Sequence, residues 1–328
     1  MRRVAHAGLR FGFWGAGGLT VAGFGLLSVL VAEAKFAHAT INGVDLVPPP
    51  NSTGFYGRDL PGDLVTVALL GDSSAAGYGL DKVHETPGAL LAEGIAERAG
   101  RPVHFHDLSV VGALSSDLDA QVDQALVHGA EVAVILIGAN DVVHLVRPSH
   151  SVHHLERAVR RLLEGGVAVL VGTCPDLGTI KPILPPLRHA ARWWSRRIAA
   201  EQTVYVVRAG GRTVSLADIL GPEFTADRDF FFGPDQFHPS TAGYAALAGV
   251  LLPSTLAALG LIGDDEAELE TYRGGQVVPI AAAALRAINT PGTELDPAPR
   301  PRGRLGRLWV TVAHRRGVRT RVRDDAGV

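Results

Sequence analysis

The chain has 328 residues, of which 47% are apolar and 20% are charged, with 39 glycines and 20 prolines. This composition is typical of a globular protein with many loops and a substantial core, and it excludes disordered and fibrous classes. The formal net charge of −2 gives no general attraction to nucleic acid, so we expect no nucleic-acid partner. Cys174 is the single cysteine, which excludes an intramolecular disulfide and every zinc site that needs two thiolates.

Residues 1–39 are predicted to be an N-terminal signal peptide or membrane anchor. Three arginines within the first ten residues precede residues 11–32, a run without a charged side chain that is long enough to cross a bilayer. Arginines on this side favour a cytoplasmic N-terminus with the remainder of the chain outside. Ala-x-Ala patterns at 32–34 and 37–39 suit signal peptidase, so a cleaved signal and a retained anchor both stay open, with a buried core helix as the alternative. We expect an exported protein of the cell envelope, either secreted or associated with the membrane through residues 11–32.

The middle of the chain alternates between apolar strands and helices. Residues 40–62 are rich in Pro, Gly and Asn and are predicted to be a linker or entry loop, which precedes a core domain at 63–260. The predicted strands are 64–70, 102–108, 132–137, 167–173 and 203–207. The predicted helices are 87–99, 116–127, 152–163, 187–201 and 241–259. Apolar strands separated by helices indicate an α/β three-layer sandwich around a parallel sheet.

Residues 261–328 are predicted to form a C-terminal extension that is partly disordered. An acidic stretch at 264–270 is followed by a Pro-rich segment at 291–302, and nine arginines occur from Arg300 onward. This basic end is either a solvated tail or a segment that binds anionic lipid headgroups or wall polymers.

A serine follows the first predicted strand of the core domain. The sequence GDSSAAGYG places Ser73 at the start of a Gly-rich turn, where its hydroxyl can be exposed. Phosphate-binding loops also begin in this way. However, the spacing matches neither the dinucleotide-binding nor the P-loop pattern, and no lysine follows to grip a phosphate. The G-x-S-x-G elbow of the α/β-hydrolase fold is absent as well.

Possible oxyanion-binding groups follow the next two strands. Asn140, in the sequence Gly138-Ala139-Asn140-Asp141, has a side-chain N–H that can donate to a developing oxyanion, although an Asx turn closing the strand would explain it too. Gly112 follows the second strand and offers a backbone N–H. Each residue by itself is weak evidence.

Asp235 and His238 stand in a turn just before the last core helix. Pro239 disfavours helical geometry at His238, so the three-residue spacing lets the Asp235 carboxylate reach one imidazole nitrogen. The other nitrogen then stays free to accept the Ser73 proton. The carboxyl ends of parallel strands share one edge of a sheet, so the nucleophile, base and oxyanion donors are all expected in one crevice.

These four blocks, GDSSAAGYG, Gly112, GAND and DQFHPSTAGYAALA, resemble in order and type those of the SGNH/GDSL hydrolase family. The resemblance covers residues 64 to about 258. It implies a flavodoxin-like fold with a five-stranded parallel sheet of order 2-1-3-4-5. It also implies Ser73 as nucleophile, His238 as general base and Asp235 as its orienting partner. Ser73 and Gly112 would supply backbone N–H groups, and Asn140 its side chain, to the oxyanion hole. Ser109, just after the second predicted strand and three residues before Gly112, departs from the family pattern, in which Asn is often found.

The remaining candidate residues favour structural roles. His104 and His106, and the histidines at 150, 153 and 154, lack carboxylates at metal-ligand spacing, so we expect surface or core histidines and no metal. Cys174 has no dedicated base nearby in sequence, which favours packing over a second nucleophile. Trp193 and Trp194 either pack their helix on the sheet or line an acyl pocket.

The sequence therefore predicts a serine ester hydrolase that acts on a lipid or an acylated carbohydrate through an acyl-Ser73 intermediate. It needs no cofactor, metal or nucleotide, and we expect a monomer. Two alternatives stay open, namely an acyltransferase with a cell-envelope acceptor and a non-catalytic membrane-tethered binding module.

Overall fold

This computed structural model describes residues 28–263 and 293–294. A central β-sheet runs through this part of the chain. Its strands stand in the order β1-β3-β2-β4-β5-β6-β7. The strands are β1 (Gly54–Tyr56), β2 (Val65–Gly71), β3 (Val103–Asp107), β4 (Val132–Leu136), β5 (Ala168–Gly172), β6 (Arg212–Val214) and β7 (Thr293–Glu294). Every neighbouring pair is parallel except β1 with β3.

Helices cover both faces of this sheet. They are α1 (28–42), α2 (Ser73–Ala76), α3 (Pro87–Ala99), α4 (Leu118–Val127), α5 (Ala139–Val143), α6 (Pro148–Glu164), α7 (Leu187–Ala209), α8 (Leu216–Ile219), α9 (Gly221–Ala226), α10 (Arg228–Phe231) and α11 (Thr241–Ala258). Two apolar clusters fill the space between the helices and the sheet. The first cluster lies between the sheet and helices α3 and α11, and the second lies between the sheet and helices α4 and α6. The predicted α/β sandwich class is confirmed.

The five inner strands β2 to β6, numbered along the chain, stand in the order 2-1-3-4-5. Two outer strands were not predicted. β1 lies within the segment 40–62 and adds an antiparallel edge, so the sheet is mixed and has seven strands instead of five. The pairing of β1 with β3 places Phe55 beside His104, and the two rings stack with their centroids 4.1 Å apart.

The predicted fifth strand, 203–207, is wrong. These residues form the last turns of α7, which continues to Ala209, and the fifth inner strand is Arg212–Val214. The β-branched run suggested a strand, but burial follows helical spacing. Ile198, Gln202 and Val206 are buried at intervals of four residues, whereas Tyr205 is exposed.

Helix α11 is apolar and long enough to cross a membrane by length and composition alone. It belongs instead to the core, because half of it is buried and Tyr244, Leu251 and Leu256 pack in the cluster beneath the sheet. Ser240 caps its start by accepting a hydrogen bond from the N–H of Gly243 at 3.2 Å.

The chain before the core includes a helix docked on the domain. In α1, Ala37 is buried in the core cluster, and the Glu33 carboxylate accepts a hydrogen bond from the N–H of Leu187 at 2.9 Å. Both Ala-x-Ala patterns lie within this helix. Most of the predicted signal or anchor segment 11–32, and the basic C-terminal end, lie outside the described residues.

Candidate active site

Ser73 stands at the point where β2 turns into the short helix α2. Gly71 ends the strand with φ +139°, and a Cβ there would lie 1.9 Å from the carbonyl oxygen of Leu136, so only glycine fits. Asp72 then caps α2, because its carboxylate accepts a hydrogen bond from the N–H of Ser74 at 2.8 Å. Ser73 is therefore the first residue of a helix, where the backbone N–H has no partner inside the helix.

A buried glutamine fixes the end of β2. The side chain of Gln121, on α4, accepts a hydrogen bond from the N–H of Gly71 at 2.7 Å and donates one to its carbonyl oxygen at 3.1 Å. This pair of bonds holds the backbone two residues before Ser73. The sequence analysis did not predict this role for Gln121. The available signal was a polar amide on the apolar face of α4, among Leu118, Val122 and Ala125.

Asp72 is buried beside this turn. Burial raises the pKa of its carboxyl from 3.8 to about 6, although the hydrogen bonds from Ser74 act in the opposite direction. Asp72 does not contact the Ser73 hydroxyl in any hydrogen bond of the described residues. Its place in the fold is that of a helix cap.

The Asp235–His238 turn is held by the aspartate itself. One carboxylate oxygen of Asp235 accepts hydrogen bonds from the N–H groups of Phe237 and His238, each at 3.0 Å, and Gln236 between them adopts φ +56°. Burial by itself would raise the pKa of Asp235, but hydrogen bonds from His238 and Phe237 outweigh it, and the pKa lies below its ordinary value. Asp235 is thus kept ionised.

Ser73, His238 and Asp235 form one hydrogen-bonded chain. The second oxygen of Asp235 lies 2.6 Å from Nδ1 of His238, and Nε2 of His238 lies 3.0 Å from Oγ of Ser73. An ionised carboxylate can only accept, so in neutral His238 the proton is on Nδ1 and Nε2 is free to accept from Ser73. The structure therefore brings together three residues that lie up to 165 positions apart in the chain.

Asn140 and the Gly112 loop are tied together at the same edge of the sheet. The Asn140 side chain donates one N–H to the carbonyl oxygen of Ala113 at 3.0 Å, which leaves the second amide hydrogen for another acceptor. Buried Asp141 accepts a hydrogen bond from the hydroxyl of Ser115 at 2.7 Å and so links the two loops a second time. Gly112 itself is exposed, with φ +84°.

Most of the core domain is similar in sequence to proteins that are already known. Residues 69–246, more than half of the chain, match the GDSL-like Lipase/Acylhydrolase family. The chain belongs to this family. It is also 39% identical over 239 residues, covering 69% of this chain and 76% of the relative, to GDSL-like esterase Rv1075c of Mycobacterium tuberculosis.

Two solved structures are also similar to this GDSL-like hydrolase. TesA matches with a TM-score of 0.47 and 22% identity, covering 60% of this chain and 99% of TesA. The psychrotrophic esterase EstA from a Pseudoalteromonas species matches with a TM-score of 0.48 and 17% identity, covering 60% and 98% of the two chains.

A cleft opens beside His238 in this GDSL-like hydrolase. It encloses about 830 Å³ of empty space, part of it open to solvent, between the ends of β4 and β5 and helices α8, α9 and α11. Its walls are mainly apolar, and the largest side chains are Phe224, Phe232 and Phe237. Trp193 and Trp194 are not among its lining residues. Trp193 is exposed, and Trp194 donates a hydrogen bond to the carbonyl oxygen of Val146 at 3.1 Å.

Cys174 of the GDSL-like hydrolase is a packed residue. It is fully buried, and its burial raises the pKa of the thiol well above the ordinary value. A second glutamine, Gln202, holds this part of the chain. It accepts a hydrogen bond from the N–H of Cys174 at 2.7 Å and donates one to the carbonyl oxygen of Ile137 at 3.0 Å. Gln202 therefore fixes the ends of β4 and β5 as Gln121 fixes β2.

The histidines form no metal centre within residues 28–263, where no group of three or more metal-ligating side chains occurs. The ring of His106 lies between those of His104 and His128. It is tilted against the ring of His104, with centroids 4.1 Å apart, and stacked on that of His128, with centroids 4.0 Å apart. Burial is the main cause that lowers the pKa of His106, to about 4, and the two neighbouring histidines add to it. His106 is therefore neutral at pH 7.

Proposed function

We propose that this GDSL-family hydrolase cleaves carboxylic esters through a covalent acyl-Ser73 intermediate. The observation that carries the proposal is the continuous chain from Ser73 Oγ through His238 to Asp235, with contacts of 3.0 and 2.6 Å. A serine hydroxyl is a poor nucleophile unless a base removes its proton. This arrangement supplies the base in its reactive tautomer.

In the first step, Nε2 of His238 accepts the proton of Ser73 while Oγ attacks the ester carbonyl carbon. The negative charge moves to the carbonyl oxygen, which receives hydrogen bonds from the N–H groups of Ser73 and Gly112 and from the free amide hydrogen of Asn140. Asp235 stabilises the imidazolium that forms. The carbon–oxygen bond to the alcohol then breaks, and the alcohol leaves with the proton held by His238.

In the second step, water replaces the alcohol. His238 takes a proton from the water, the hydroxide attacks the acyl carbon, and the bond to Ser73 Oγ breaks as that oxygen regains the proton. The carboxylic acid is released and the starting state returns. None of these steps needs a metal or nucleotide.

Labelling with a fluorophosphonate probe, together with hydrolysis of p-nitrophenyl acetate, tests the proposal. Wild-type protein should incorporate one probe per chain and Ser73→Ala none, with turnover reduced to background. Ser116→Ala is the matched control, since Ser116 is exposed and its hydroxyl donates a long hydrogen bond to Asp117, at 3.4 Å. Equal turnover in Ser73→Ala and wild type would refute the proposal. Absence of labelling in wild type would favour a binding module, and turnover only with an added acceptor alcohol would favour a transferase.

We further propose that the enzyme works outside the cytoplasm as a monomer, on a lipid or acylated-carbohydrate ester, with residues 11–32 holding it at the membrane. Support comes from the sequence, in which arginines precede an uncharged run long enough to span a bilayer. Fusion of residues 1–39 to alkaline phosphatase, which folds actively only after export, tests the location. An inactive fusion contradicts it.

A further inference from the structure

We propose that the edge of the sheet that carries Ser73 and His238 faces a lipid bilayer, and that exposed apolar side chains around this edge dock on it. This orientation rests on the proposed membrane attachment through residues 11–32 and does not depend on the ester chemistry. The structure points to it through the position of α1 and through a group of exposed apolar side chains outside the cleft.

Helix α1 is docked at the catalytic edge of the sheet. Its Glu33 carboxylate accepts a hydrogen bond from the N–H of Leu187, the first residue of α7. Because α7 connects the parallel strands β5 and β6, it begins at the edge where the strands end, which is the edge of Ser73. Further along the chain, the carbonyl oxygen of Val47 accepts a hydrogen bond at 3.3 Å from the N–H of Gly79, shortly after Ser73. Helix α1 and the residues that follow it therefore lie along the catalytic edge.

The uncharged run of residues 11–32 ends immediately before Glu33. Its described part belongs to α1 and is mostly exposed, with Val29 and Val31 each 46% exposed. Consecutive residues of an α-helix are separated by a rise of about 1.5 Å, so the end of the run is next to the residue that is bound to α7. A bilayer that encloses this run therefore lies beside the catalytic edge.

Exposed apolar side chains line the two loops beside the proposed oxyanion hole. Val110 and Val111 follow β3 and are 54% and 46% exposed. Val143 and Leu145 follow β4 and are 52% and 71% exposed. The hydrogen bond from the Asn140 side chain to the loop after β3 holds the two loops together. We call these two valine pairs of positions, 110–111 and 143 with 145, the apolar rim. Single exposed apolar residues are common on protein surfaces, but a group of them marks a site of contact.

Other exposed apolar side chains surround the same edge. Phe36 is on α1, and Leu184 lies three residues before Leu187. Phe230 is on α10, where its carbonyl oxygen accepts a hydrogen bond from the hydroxyl of Ser240 at 2.6 Å. The apolar surface thus extends from the α1 side of the site to the oxyanion side. A bilayer is the partner that fits, because the segment that would enter the lipid joins the domain at the same edge.

Labels at single cysteines test which edge meets lipid. Leu145→Cys and Val110→Cys place a label on the rim. Val127→Cys is the matched control, since Val127 is 84% exposed at the end of α4, at the opposite edge of the sheet. Cys174 is fully buried and should not react. Each full-length variant is labelled with a nitrobenzoxadiazole fluorophore and placed in nanodiscs of phosphatidylethanolamine and phosphatidylglycerol. Quenching is measured with a nitroxide-bearing lipid and, separately, with iodide in the water.

The rim labels should be quenched by the lipid nitroxide and protected from iodide, and the label at Val127→Cys should show the reverse. The ratio of lipid quenching to iodide quenching should differ between the two edges by at least about tenfold, because burial of one leucine-sized side chain shifts an equilibrium by about that factor. Equal ratios at the two edges, or a higher ratio at Val127→Cys, overturn the inference. Rim labels that are protected from iodide but not quenched by lipid indicate a protein partner and overturn it as well.

Failure of the docking surface and failure of the ester chemistry give different results. The quenching measurement needs no turnover, so the expected pattern supports the docking surface even if the Ser73→Ala comparison refutes the acyl-enzyme mechanism. Full-length protein that stays out of the nanodiscs overturns the membrane attachment and the docking surface together, while hydrolysis of p-nitrophenyl acetate still tests the triad. Val110→Cys keeps the experiment decisive if circular dichroism shows that Leu145→Cys does not fold.

Discussion

Replacement of Asp235 by asparagine tests the role of the carboxylate apart from its place in the fold. The carboxylate is 1% exposed and accepts three hydrogen bonds, two from backbone N–H groups at 3.0 Å and one from Nδ1 of His238 at 2.6 Å. An asparagine oxygen can keep both backbone bonds. Its NH₂ group, however, faces Nδ1 and forces the proton of His238 onto Nε2, so that Nε2 can no longer accept from Ser73.

The expected loss in kcat is about 10⁴-fold, the size found when this change is made in other triads, which corresponds to about 5.5 kcal/mol in the activation barrier. The loss in folding stability should be smaller, about 1.5–3 kcal/mol for one charged hydrogen bond. Asp235→Ala should reduce kcat by a similar factor. It should also lose about 2–6 kcal/mol of stability, because two backbone N–H groups are then left without their acceptor.

The assay combines hydrolysis of p-nitrophenyl acetate at pH 7.5 with urea unfolding of the same preparations. Asp229→Asn is the matched control, since Asp229 is exposed and paired with Lys181 at 2.8 Å, and its stability should change by less than about 1 kcal/mol. The pKa of Asp235 is lowered in the folded protein. The stability that Asp235 contributes is therefore fully present above the ordinary carboxyl pKa and is lost as the pH falls through the folded-state pKa. Retention of more than a tenth of wild-type kcat in Asp235→Asn would refute the reasoning, as would a stability loss equal to that of Asp235→Ala.

Three further predictions follow from the same structure. Asn140→Ala should lower kcat about 10²–10³-fold with a measurable remainder, since one of three oxyanion donors is lost; activity equal to wild type would contradict the role. Asp72→Asn should be more stable than wild type at pH 7.5, by up to roughly 3 kcal/mol, because the folded-state pKa of about 6 disfavours the ionised carboxyl; urea unfolding should show this gain vanishing as the pH falls from 6 to 4. Cys174 should resist a thiol reagent such as dithionitrobenzoate until urea unfolds the chain, and rapid reaction in the native protein would contradict its burial.

The sequence was sufficient where the deciding interactions are local. Strand β2 ends where the apolar run reaches Gly71, and α3 covers the predicted residues 87–99, because Thr86 caps its start and Gly100 adopts the left-handed conformation at its end. The Asp235–His238 turn is of the same kind, since the hydrogen bonds that define it span two or three residues. The expectation that the strand ends meet at one edge followed from parallel pairing.

Tertiary packing decided the secondary structure of two segments for which the local sequence pattern was ambiguous or gave no signal. Residues 203–207 favour a strand by residue type, yet they complete α7 because Val206 is buried in line with Ile198 and Gln202. Residues 54–56 gave no strand signal and pair with β3 through an edge that exists only once the sheet is formed.

The sequence by itself determined the fold class and the positions of Ser73, Asn140, Asp235 and His238 at the ends of elements. Only the tertiary structure decided the 3.0 Å contact between Ser73 and His238, across 165 positions. It alone also decided the apolar cleft and the two glutamine contacts that fix the strand ends. The physical reason is range. Caps, turns and strand ends depend on neighbours within a few residues, whereas a cleft and a side chain that reaches another strand exist only after distant segments have packed together.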